Sequence, residues 1–369
     1  MQLLFWIWVA KAQETCFPDA IPEGARKNLT NAEGESYPLG IWVPTWAAAE
    51  LTSALVEILV GERIGYNIRT AGGSATLDQF YAMTGCKSPT VMADRGCGPD
   101  GPDSTYYHVS VEGWTLGYGT AWDEIQASYP RTAPKNLGSS GYMGYTGQYL
   151  AAEIVDVALQ AGGLALEYYR SYNFSWHHPS RFFDPISSMN LSELKSCNET
   201  RLWVSDSMQQ YAIMTGDWDG IENTSGVVHG KCFHRRFWFP PSCRHNSSLC
   251  IVFVTAGPGY ELEASMQRAT VYNMPLAQTV AKDWAFASLP RKMTGVLFYW
   301  WQPDPTFLKL GGKRLLYPSL QDRQAFMNGD YREAATGVFI DKYTSFDLIE
   351  LAPDVEEFVQ AFVIDFKVV

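Results

Sequence analysis

The chain has 369 residues, of which 46% are apolar and 18% charged, so it can build the cores of two domains of ordinary size and is not a disordered chain. Its net charge is −11 and it contains no Lys/Arg-rich run. This balance excludes nucleic acids and anionic membranes as expected partners, because both are bound through basic surfaces. The aromatic content is high, with 13 Trp and 20 Tyr, and asks for a functional explanation.

The first twelve residues predict a signal peptide. Leu3–Val9 are apolar, and Ala10-Lys11-Ala12 has the small-x-small form of a signal peptidase site. A truncated start or a buried first strand is the alternative interpretation. No later stretch approaches the roughly 18 apolar residues that a transmembrane helix needs. We therefore expect a secreted protein, or one of the secretory-pathway lumen or cell surface, or of a periplasm-like compartment in a bacterium.

Six Asn-x-Ser/Thr sequons fit a secretory protein. They begin at Asn28, Asn173, Asn190, Asn198, Asn223 and Asn246. Five of the six fall between residues 173 and 248. Because a glycosylated asparagine has to be exposed, the region 170–250 is predicted to be an exposed, loop-rich and glycosylated insertion.

Seven cysteines point to the same oxidising compartment, namely Cys16, Cys86, Cys97, Cys197, Cys232, Cys243 and Cys250. We predict a Cys86–Cys97 disulfide and at least one bond among Cys232, Cys243 and Cys250, because both would close short loops. The odd count leaves at least one cysteine unpaired or bonded to another chain. A zinc site formed by the Cys232-x-His234 and Cys243-x-His245 pairs is the alternative, although this spacing matches no standard zinc module.

The predicted elements alternate between strand and helix. In chain order they are an irregular lead-in over residues 13–36, a short strand and turn within 38–46, a helix over 47–60, a strand from 66, a helix over 76–83, a strand over 106–114, a Gly/Tyr-rich loop over 138–150, a helix over 151–169, the irregular region 170–250, a strand over 250–259, helices over 261–272 and 276–287, a strand over 296–305 entering a Pro-bounded turn, and a helix over 353–363. Such alternation predicts an α/β fold with a mainly parallel or mixed sheet.

The sequence lacks the common enzyme signatures. It has no G-x-S-x-G elbow, H-E-x-x-H or Walker loop. The acidic pair Glu261 and Glu263 could suggest a glycosidase, and Asp217-Trp218-Asp219 could suggest a metal-binding or sugar-binding loop. Surface acids and a solvated turn are the simpler interpretations of the same residues. We therefore predict a protein that is not an enzyme and that needs no cofactor or metal.

Aromatic residues are concentrated at predicted strand ends and turns. A quaternary ammonium group cannot donate ordinary N–H hydrogen bonds and is held instead by cation–π attraction to Trp or Tyr rings. The residues placed to form such an aromatic cage are Trp46, Trp114, Tyr142, Tyr145, Trp300 and Trp301. Core packing is the alternative role for any one of these tryptophans. Their common placement favours a site for a small quaternary-ammonium ligand.

Five segments, in this order, resemble the substrate-binding proteins of glycine betaine/proline-type ABC transporters. They are WVPTWAAAELTSALVEILVGERIGYNI at 42–68, HVSVEGW at 108–114, LGSSGYMGYTGQYL at 137–150, FYWWQPDPTFLKL at 298–310 and LAPDVEEFVQAF at 351–362. The resemblance implies a two-lobed fold like that of type II periplasmic-binding proteins, with the ligand in a cleft between the lobes. Lobe 1 would comprise residues 37–145 and 300–369, and lobe 2 residues 146–299.

The resemblance also implies a function and a set of roles. The chain would bind glycine betaine, choline or a similar solute as the solute-binding component of transport, and a membrane transporter component is a candidate partner. Trp46, Trp114 and Trp300 would form the cage, with Trp301 as the alternative third wall. The loop from Gly141 to Gly147 would supply backbone or tyrosine contacts.

Asp304 departs from this pattern, because the family often has a histidine after the proline. An aspartate in the cleft would repel the carboxylate of betaine and favour choline, whereas an aspartate that caps the turn made by Pro303 and Pro305 would do neither. Two other functions remain as alternatives. One is a secreted carbohydrate-binding protein or hydrolase that uses Trp platforms, and the other is a receptor or scaffold domain with a degenerate cleft.

Overall fold

The computed structural model describes residues 15–73, 76–91, 95–97, 105–114, 119–173, 178–200, 205–257, 260–282, 295–304, 307, 311–334 and 337–364. The predicted signal peptide, residues 1–12, lies outside these ranges. Within them, every helix is too short or too polar to traverse a membrane. Strands and helices alternate along the chain, which is the predicted α/β class.

The strands in chain order are β1 Leu29–Thr30, β2 Ser36–Tyr37, β3 Leu39–Trp42, β4 Ile68–Ala71, β5 Val109–Trp114, β6 Lys135–Ala151, β7 Ile221–Thr224, β8 Val227–Gly230, β9 Ile251–Thr255, β10 Leu276–Val280, β11 Leu297–Gln302, β12 Gly312–Arg314 and β13 Val338–Thr344. The α-helices are α1 Ala47–Ile58, α2 Thr76–Met83, α3 Gly119–Ser128, α4 Ala152–Gly162, α5 Ser205–Thr215, α6 Pro241–Arg244, α7 Leu262–Val271, α8 Arg323–Met327, α9 Leu348–Leu351 and α10 Pro353–Ala361. A π-helical segment, Leu59–Ile64, extends α1.

The chain divides into two compact units. Unit 1 comprises residues 1–113, 121–142 and 340–369, and unit 2 comprises residues 114–120 and 143–339. The sequence-based lobes differ from these units mainly over residues 300–339, which were expected in lobe 1 and lie in unit 2. Strand pairing is the reason, because β11 pairs with β9 and β6, and β12 also pairs with β6.

Unit 1 contains a parallel sheet in which β3 lies between β4 and β5. Leu39 stands opposite Ile68, and Ile41 stands opposite Val109. The strand residues form one core with α1, its π-helical extension, α9 and α10; this core comprises Leu29, Leu39, Ile41, Val56, Val60, Tyr66, Val109, Val111, Leu348, Ala352, Val355, Val359 and Phe362. The strand–helix–strand order β3–α1–β4 therefore builds unit 1 as the alternation of the sequence predicts.

In unit 2 the strand order is β10-β9-β11-β6. β9 is parallel to β10 and β11, whereas β6 runs antiparallel to β11 and β12. The core on this sheet comprises Tyr149, Leu194, Phe237, Phe239, Cys243, Cys250, Val252, Val254, Ala277, Ala281, Val296, Phe298, Trp300 and Phe307. The hairpin β7–β8 forms a separate two-stranded sheet.

Two predicted elements were wrong. The Gly/Tyr-rich segment 138–150 is not a loop but most of strand β6, whose residues Tyr145–Tyr149 pair with β11. The segment predicted as a helix from residue 276 begins with strand β10, and all five strand residues are buried. A short buried strand has no polar face, so the alternation that would identify it is missing.

Three disulfides join six of the cysteines, as Cys86–Cys97, Cys197–Cys232 and Cys243–Cys250. The first pair is confirmed as predicted, and Cys243–Cys250 confirms the expected bond among Cys232, Cys243 and Cys250. The Cys197–Cys232 pair was not predicted. Cys16 is exposed and is not in a disulfide. Because the sulfurs of Cys232 and Cys243 are in disulfides, the alternative zinc site is wrong.

Candidate functional site

The carboxyl ends of β3, β4 and β5 lie at one edge of the unit 1 sheet, because these strands are parallel. This edge is where open α/β sheets usually bind ligands. β3 ends at Trp42, β4 is followed by Gly72 and Gly73, and β5 ends at Trp114. The side chains that follow or end these strands are therefore the first candidates for a site.

Trp46 stands between β3 and α1, at the N-cap of the helix. Its backbone is extended, with φ −129° and ψ 151°, and its carbonyl oxygen accepts the N–H of Glu50 over 3.0 Å. The alanine-rich segment that follows is a strong helix former, so the chain turns into α1 directly after Trp46. The indole is half-buried and points its N–H at β5, where Nε1 donates to Oε1 of Glu112 over 3.1 Å.

Glu112 is completely buried near the end of β5. Besides the bond from Trp46, its Oε2 lies 3.2 Å from the hydroxyl of Thr52 on α1 and accepts the hydroxyl of Tyr142 on β6. The indole and the phenol are neutral donors, and the Thr52 hydroxyl also lies 3.0 Å from the carbonyl oxygen of Ala48. The carboxylate is therefore the common acceptor that ties α1, β5 and β6 together at this edge.

Tyr142 is protonated in this arrangement. Burial raises the pKa of its phenol far above the ordinary value, and the nearby charge of Glu112 raises this pKa further. A protonated phenol can donate to a carboxylate, which agrees with the short contact between Tyr142 and Glu112. Tyr142 is therefore a polar partner of Glu112, buried against it, and not an open aromatic face.

Hydrogen bonds also fix the backbone of Glu112. The side-chain amide of Gln79, on α2, donates to the carbonyl oxygen of Glu112 over 3.0 Å. The hydroxyl of Ser110 donates to Oε1 of Gln79 over 2.6 Å. Because Gln79 and Ser110 are both completely buried, α2 and β5 are held in one arrangement and the carboxylate is pre-oriented.

The turn after β4 has no room for side chains. A Cβ on Gly72 would overlap the carbonyl oxygen of Val43, and a Cβ on Gly73 would lie 2.7 Å from Oδ2 of Asp78 and 3.0 Å from the ring of Trp42. Asp78 is itself paired with Arg95 at 3.1 Å. The glycines therefore let this turn pack directly against Trp42 and the first turn of α2.

Trp300 and Trp301 lie in unit 2, on β11. Their rings stack on each other with centroids 5.3 Å apart and an angle of 9° between the planes. Trp300 is completely buried in the core of unit 2, next to Phe298 at 6.2 Å, and Trp301 is buried next to Tyr299 at 5.8 Å. Core packing is thus the observed environment of Trp300.

Tyr145 also lies in unit 2, on β6, opposite Gln302 of β11. Its ring is half-buried, and the guanidinium of Arg314 lies 5.9 Å from the ring centroid. The next residue, Thr146, donates to Oε1 of Glu261 over 3.2 Å. Glu261 is paired with Arg268 at 2.6 Å, which gives this carboxylate an ion-pair partner inside unit 2.

Asp304 caps a turn. It is buried, and its Oδ1 accepts the backbone N–H of Phe307 over 3.1 Å. This is the second of the two roles considered for Asp304 from the sequence.

The structure joins the predicted residues into two pairs. Trp46 and Tyr142 meet at Glu112 in unit 1, and Trp300 and Trp301 stack in unit 2. Sequence reasoning missed Glu112 and Thr52. A glutamate within the strand segment VSVEGW was the available signal, because a carboxylate is rarely buried without hydrogen-bond donors. No group of three or more His, Cys, Asp or Glu residues in the described part of the chain is arranged to hold a metal ion.

No protein-family model and no curated protein matches the chain. It is similar in fold to three solved ABC-transporter binding proteins. The first is a glycine betaine/L-proline-binding protein from Borrelia burgdorferi, with 11% identity, a TM-score of 0.43, and coverage of 88% of this chain and 82% of that chain. The second is lactococcal OpuAC in its closed form with glycine betaine, with 12% identity, a TM-score of 0.41, and coverage of 88% of this chain and 84% of that chain. The third is a choline-binding protein in complex with choline, with 9% identity, a TM-score of 0.41, and coverage of 88% of this chain and 78% of that chain.

Proposed function

We propose that the chain is a solute-binding protein without catalytic activity, and that it binds a small quaternary-ammonium compound of the betaine/choline type. The observation that carries the proposal is the half-buried indole of Trp46, held by its N–H on the buried carboxylate of Glu112 at the carboxyl edge of β3 and β5. The resemblance of five sequence segments to betaine-binding proteins supports the same class of ligand.

The Trp46–Glu112 pair suits an onium group for an electrostatic reason. A methylated ammonium is attracted to the electron-rich face of an indole, and the attraction is worth about 0.5–2 kcal/mol, depending on exposure to water. A hydrogen bond from the indole N–H to a carboxylate pushes electron density into the ring. Trp46 therefore presents a more negative ring face than an indole whose N–H points to water.

The same hydrogen bonds argue against acid–base catalysis by Glu112. A general base has to reach the proton that it removes, at about 2.6–3.2 Å. Both oxygens of Glu112 already accept from protein donors, and the residue is completely buried. Glu112 is thus suited to hold the edge of the site and to set its charge.

The remaining cage residues have distinct places in the proposal. Trp114, Trp301 and Tyr145 are proposed as further contacts of the solute because of their place in the aromatic pattern of the sequence and in the family resemblance. Trp300 is in the core, so Trp301 is the better candidate for the third wall. A membrane transporter component is the proposed partner of the loaded protein.

We also propose that the protein is secreted after loss of the predicted signal peptide and is glycosylated. Five sequon asparagines are exposed, namely Asn28, Asn190, Asn198, Asn223 and Asn246, whereas Asn173 is half-buried and accepts a hydrogen bond from Asn273. Enzymatic deglycosylation of the protein from a eukaryotic host should lower its mass and mark the exposed sites. An unchanged mass would contradict this part of the proposal.

Calorimetric titration tests the binding function. Choline, betaine, carnitine, proline and a panel of simple sugars would be titrated into the purified protein. We expect binding of an onium compound, a loss of about tenfold or more in affinity in Trp46→Ala, and a smaller loss in Trp46→Phe, which keeps an aromatic face. Trp218→Ala is the matched control, because Trp218 is an exposed tryptophan of unit 2, remote in sequence from this edge.

The outcome separates the candidate functions. Onium binding that disappears in Trp46→Ala, while the melting temperature stays near that of the wild type, supports the proposal. Binding of sugars without any onium compound would instead favour the carbohydrate-binding alternative. No binding of any compound would leave the receptor or scaffold function as the better description.

A further inference from the structure

We propose that Glu112 is the residue that makes the site prefer a singly charged onium alcohol, for which choline is the probe, over a zwitterionic onium acid, for which betaine is the probe. The inference rests on the proposed function, because it requires the onium group to lie on Trp46. It assigns the choice of ligand to a residue of unit 1 in place of Asp304, which caps a turn.

The geometry places the charge of Glu112 directly behind the proposed ring face. Oε1 accepts the indole N–H of Trp46 over 3.1 Å, so the carboxylate lies at the edge of the same ring that the onium group would contact. Glu112 is completely buried, and charges act over longer distances where water is excluded. The residue is also fixed on three sides by Trp46, Thr52 and Tyr142.

The two classes of ligand respond differently to this charge. A cation with a hydroxyl group is attracted as a whole, and its hydroxyl can donate to an acceptor. A zwitterion has no net charge, and its carboxylate has to leave water in the field of another carboxylate, which costs free energy. Both ligands carry the same trimethylammonium group, so the ring of Trp46 alone cannot tell them apart.

Glu112→Gln removes the charge while the hydrogen bonds can be kept. The amide oxygen can accept the N–H of Trp46, which only donates. The amide nitrogen can then donate to the hydroxyl oxygens of Thr52 and Tyr142, because a hydroxyl serves as either donor or acceptor. The variant thus isolates the charge from the packing of α1, β5 and β6.

The test is the ratio of the choline and betaine affinities, measured by calorimetry. We expect the wild type to bind choline at least about tenfold more tightly than betaine, and Glu112→Gln to reduce that ratio to near one. Glu112→Asp keeps the charge and should retain the preference. Glu50→Gln is the control, because Glu50 is an exposed acid on α1 and its substitution makes the same change in net charge.

The failures of the two proposals can be told apart. Betaine binding as tight as choline binding in the wild type, or a ratio unchanged in Glu112→Gln, overturns the role of Glu112 while onium binding stands. No binding of either probe overturns the proposed function and the selectivity together. If Glu112→Gln lacks the wild-type melting transition, the wild-type and Glu112→Asp ratios decide, and a wild-type ratio near or below one overturns the inference.

Discussion

The backbone N–H of Gly40, on β3, donates to Nδ1 of His108 over 2.9 Å. Since Nδ1 is an acceptor, the single ring proton of the neutral imidazole is on Nε2. The residue is completely buried next to β5 in unit 1. Burial lowers the pKa of His108 from 6.5 to about 4, and the opposing effect of the Asp347 carboxylate is smaller.

This pKa makes unit 1 sensitive to acid. Below pH 6.5 the unfolded chain protonates His108 and the folded chain does not, so the free energy of unfolding falls as the pH falls from 6.5 to about 4. The full loss is roughly 3 kcal/mol, since one pKa unit corresponds to about 1.4 kcal/mol. Urea unfolding across this pH range measures it.

Two variants isolate His108 from the carboxylates that titrate over the same pH range. In His108→Asn the amide oxygen can still accept from Gly40, and this part of the pH dependence should vanish. His178→Asn changes an exposed histidine and should follow the wild type. An identical pH profile for the wild type and His108→Asn would contradict the assignment.

Lys342 caps the last helix of unit 1. Its buried ammonium donates to the carbonyl oxygens of Phe362 and Gln360 over 2.6 and 2.9 Å, at the end of α10. Lys342→Met leaves both oxygens without this donor, so we expect the free energy of unfolding to fall by about 2–3 kcal/mol. Chemical denaturation measures it, with the exposed Lys313→Met as control. Equal effects of the two substitutions would contradict the capping role.

Breaking the ion pair of Asp217 and Arg244 should destabilise unit 2 far more than breaking a surface pair. Arg244 donates to both carboxylate oxygens over 2.6 and 2.5 Å, and the side chain of Asp217 is only 7% exposed. Burial alone would raise the pKa of Asp217, but the hydrogen bonds from Arg244 and Tyr211 outweigh this and lower the pKa.

Removing one partner of that buried pair should cost about 3 kcal/mol or more, because the other charge stays buried. Asp217→Ala tests this by denaturation. The exposed pair of Arg63 and Asp19 is the matched comparison, and Asp19→Ala should change the free energy of unfolding little. Losses of similar size in the two variants would show that Asp217 and Arg244 are no more tightly coupled than surface charges.

The disulfides should differ in their contribution to stability. Cys197–Cys232 spans 35 residues and Cys243–Cys250 spans 7, so the longer loop loses more conformational entropy in the unfolded state. Double Ser substitution of the first pair should cost about 4 kcal/mol, and of the second about 2 kcal/mol. Melting curves of the two double variants measure the two losses of stability.

Alkylation without reduction should label Cys16 alone, and a second labelled cysteine would contradict the pairing.

Local features of the fold could be predicted from the sequence. The helix predicted over 76–83 is α2, and the Ala-rich segment starts α1 at Ala47, because helical spacing and composition are local signals. β6 was missed, since its glycines and tyrosines resemble a loop until β11 pairs with it. A strand that is rich in glycine and tyrosine is recognised only from its pairing with a neighbouring strand, which the local sequence does not show.

The candidate site could be predicted only in part. Trp46 was identified because an aromatic residue at a strand end is visible in the sequence. The role of Glu112 depends on Trp46, which is 66 residues away, and on Tyr142, which is 30 residues away. The local sequence around Trp46, Glu112 and Tyr142 contains no signal that these three side chains are in contact. The charge of the site was therefore assigned to Asp304, which stands where the resembled family often has a histidine.

The central claim is that an onium group lies on the ring of Trp46, and nuclear Overhauser effects can locate it. The protein would carry isotope-labelled tryptophan rings, and contacts from the N-methyl protons of bound choline would be recorded. We expect contacts to the Trp46 ring that persist in Trp218→Ala and are lost in Trp46→Ala. Contacts only to other tryptophans, or no bound choline at millimolar concentration, would contradict the claim.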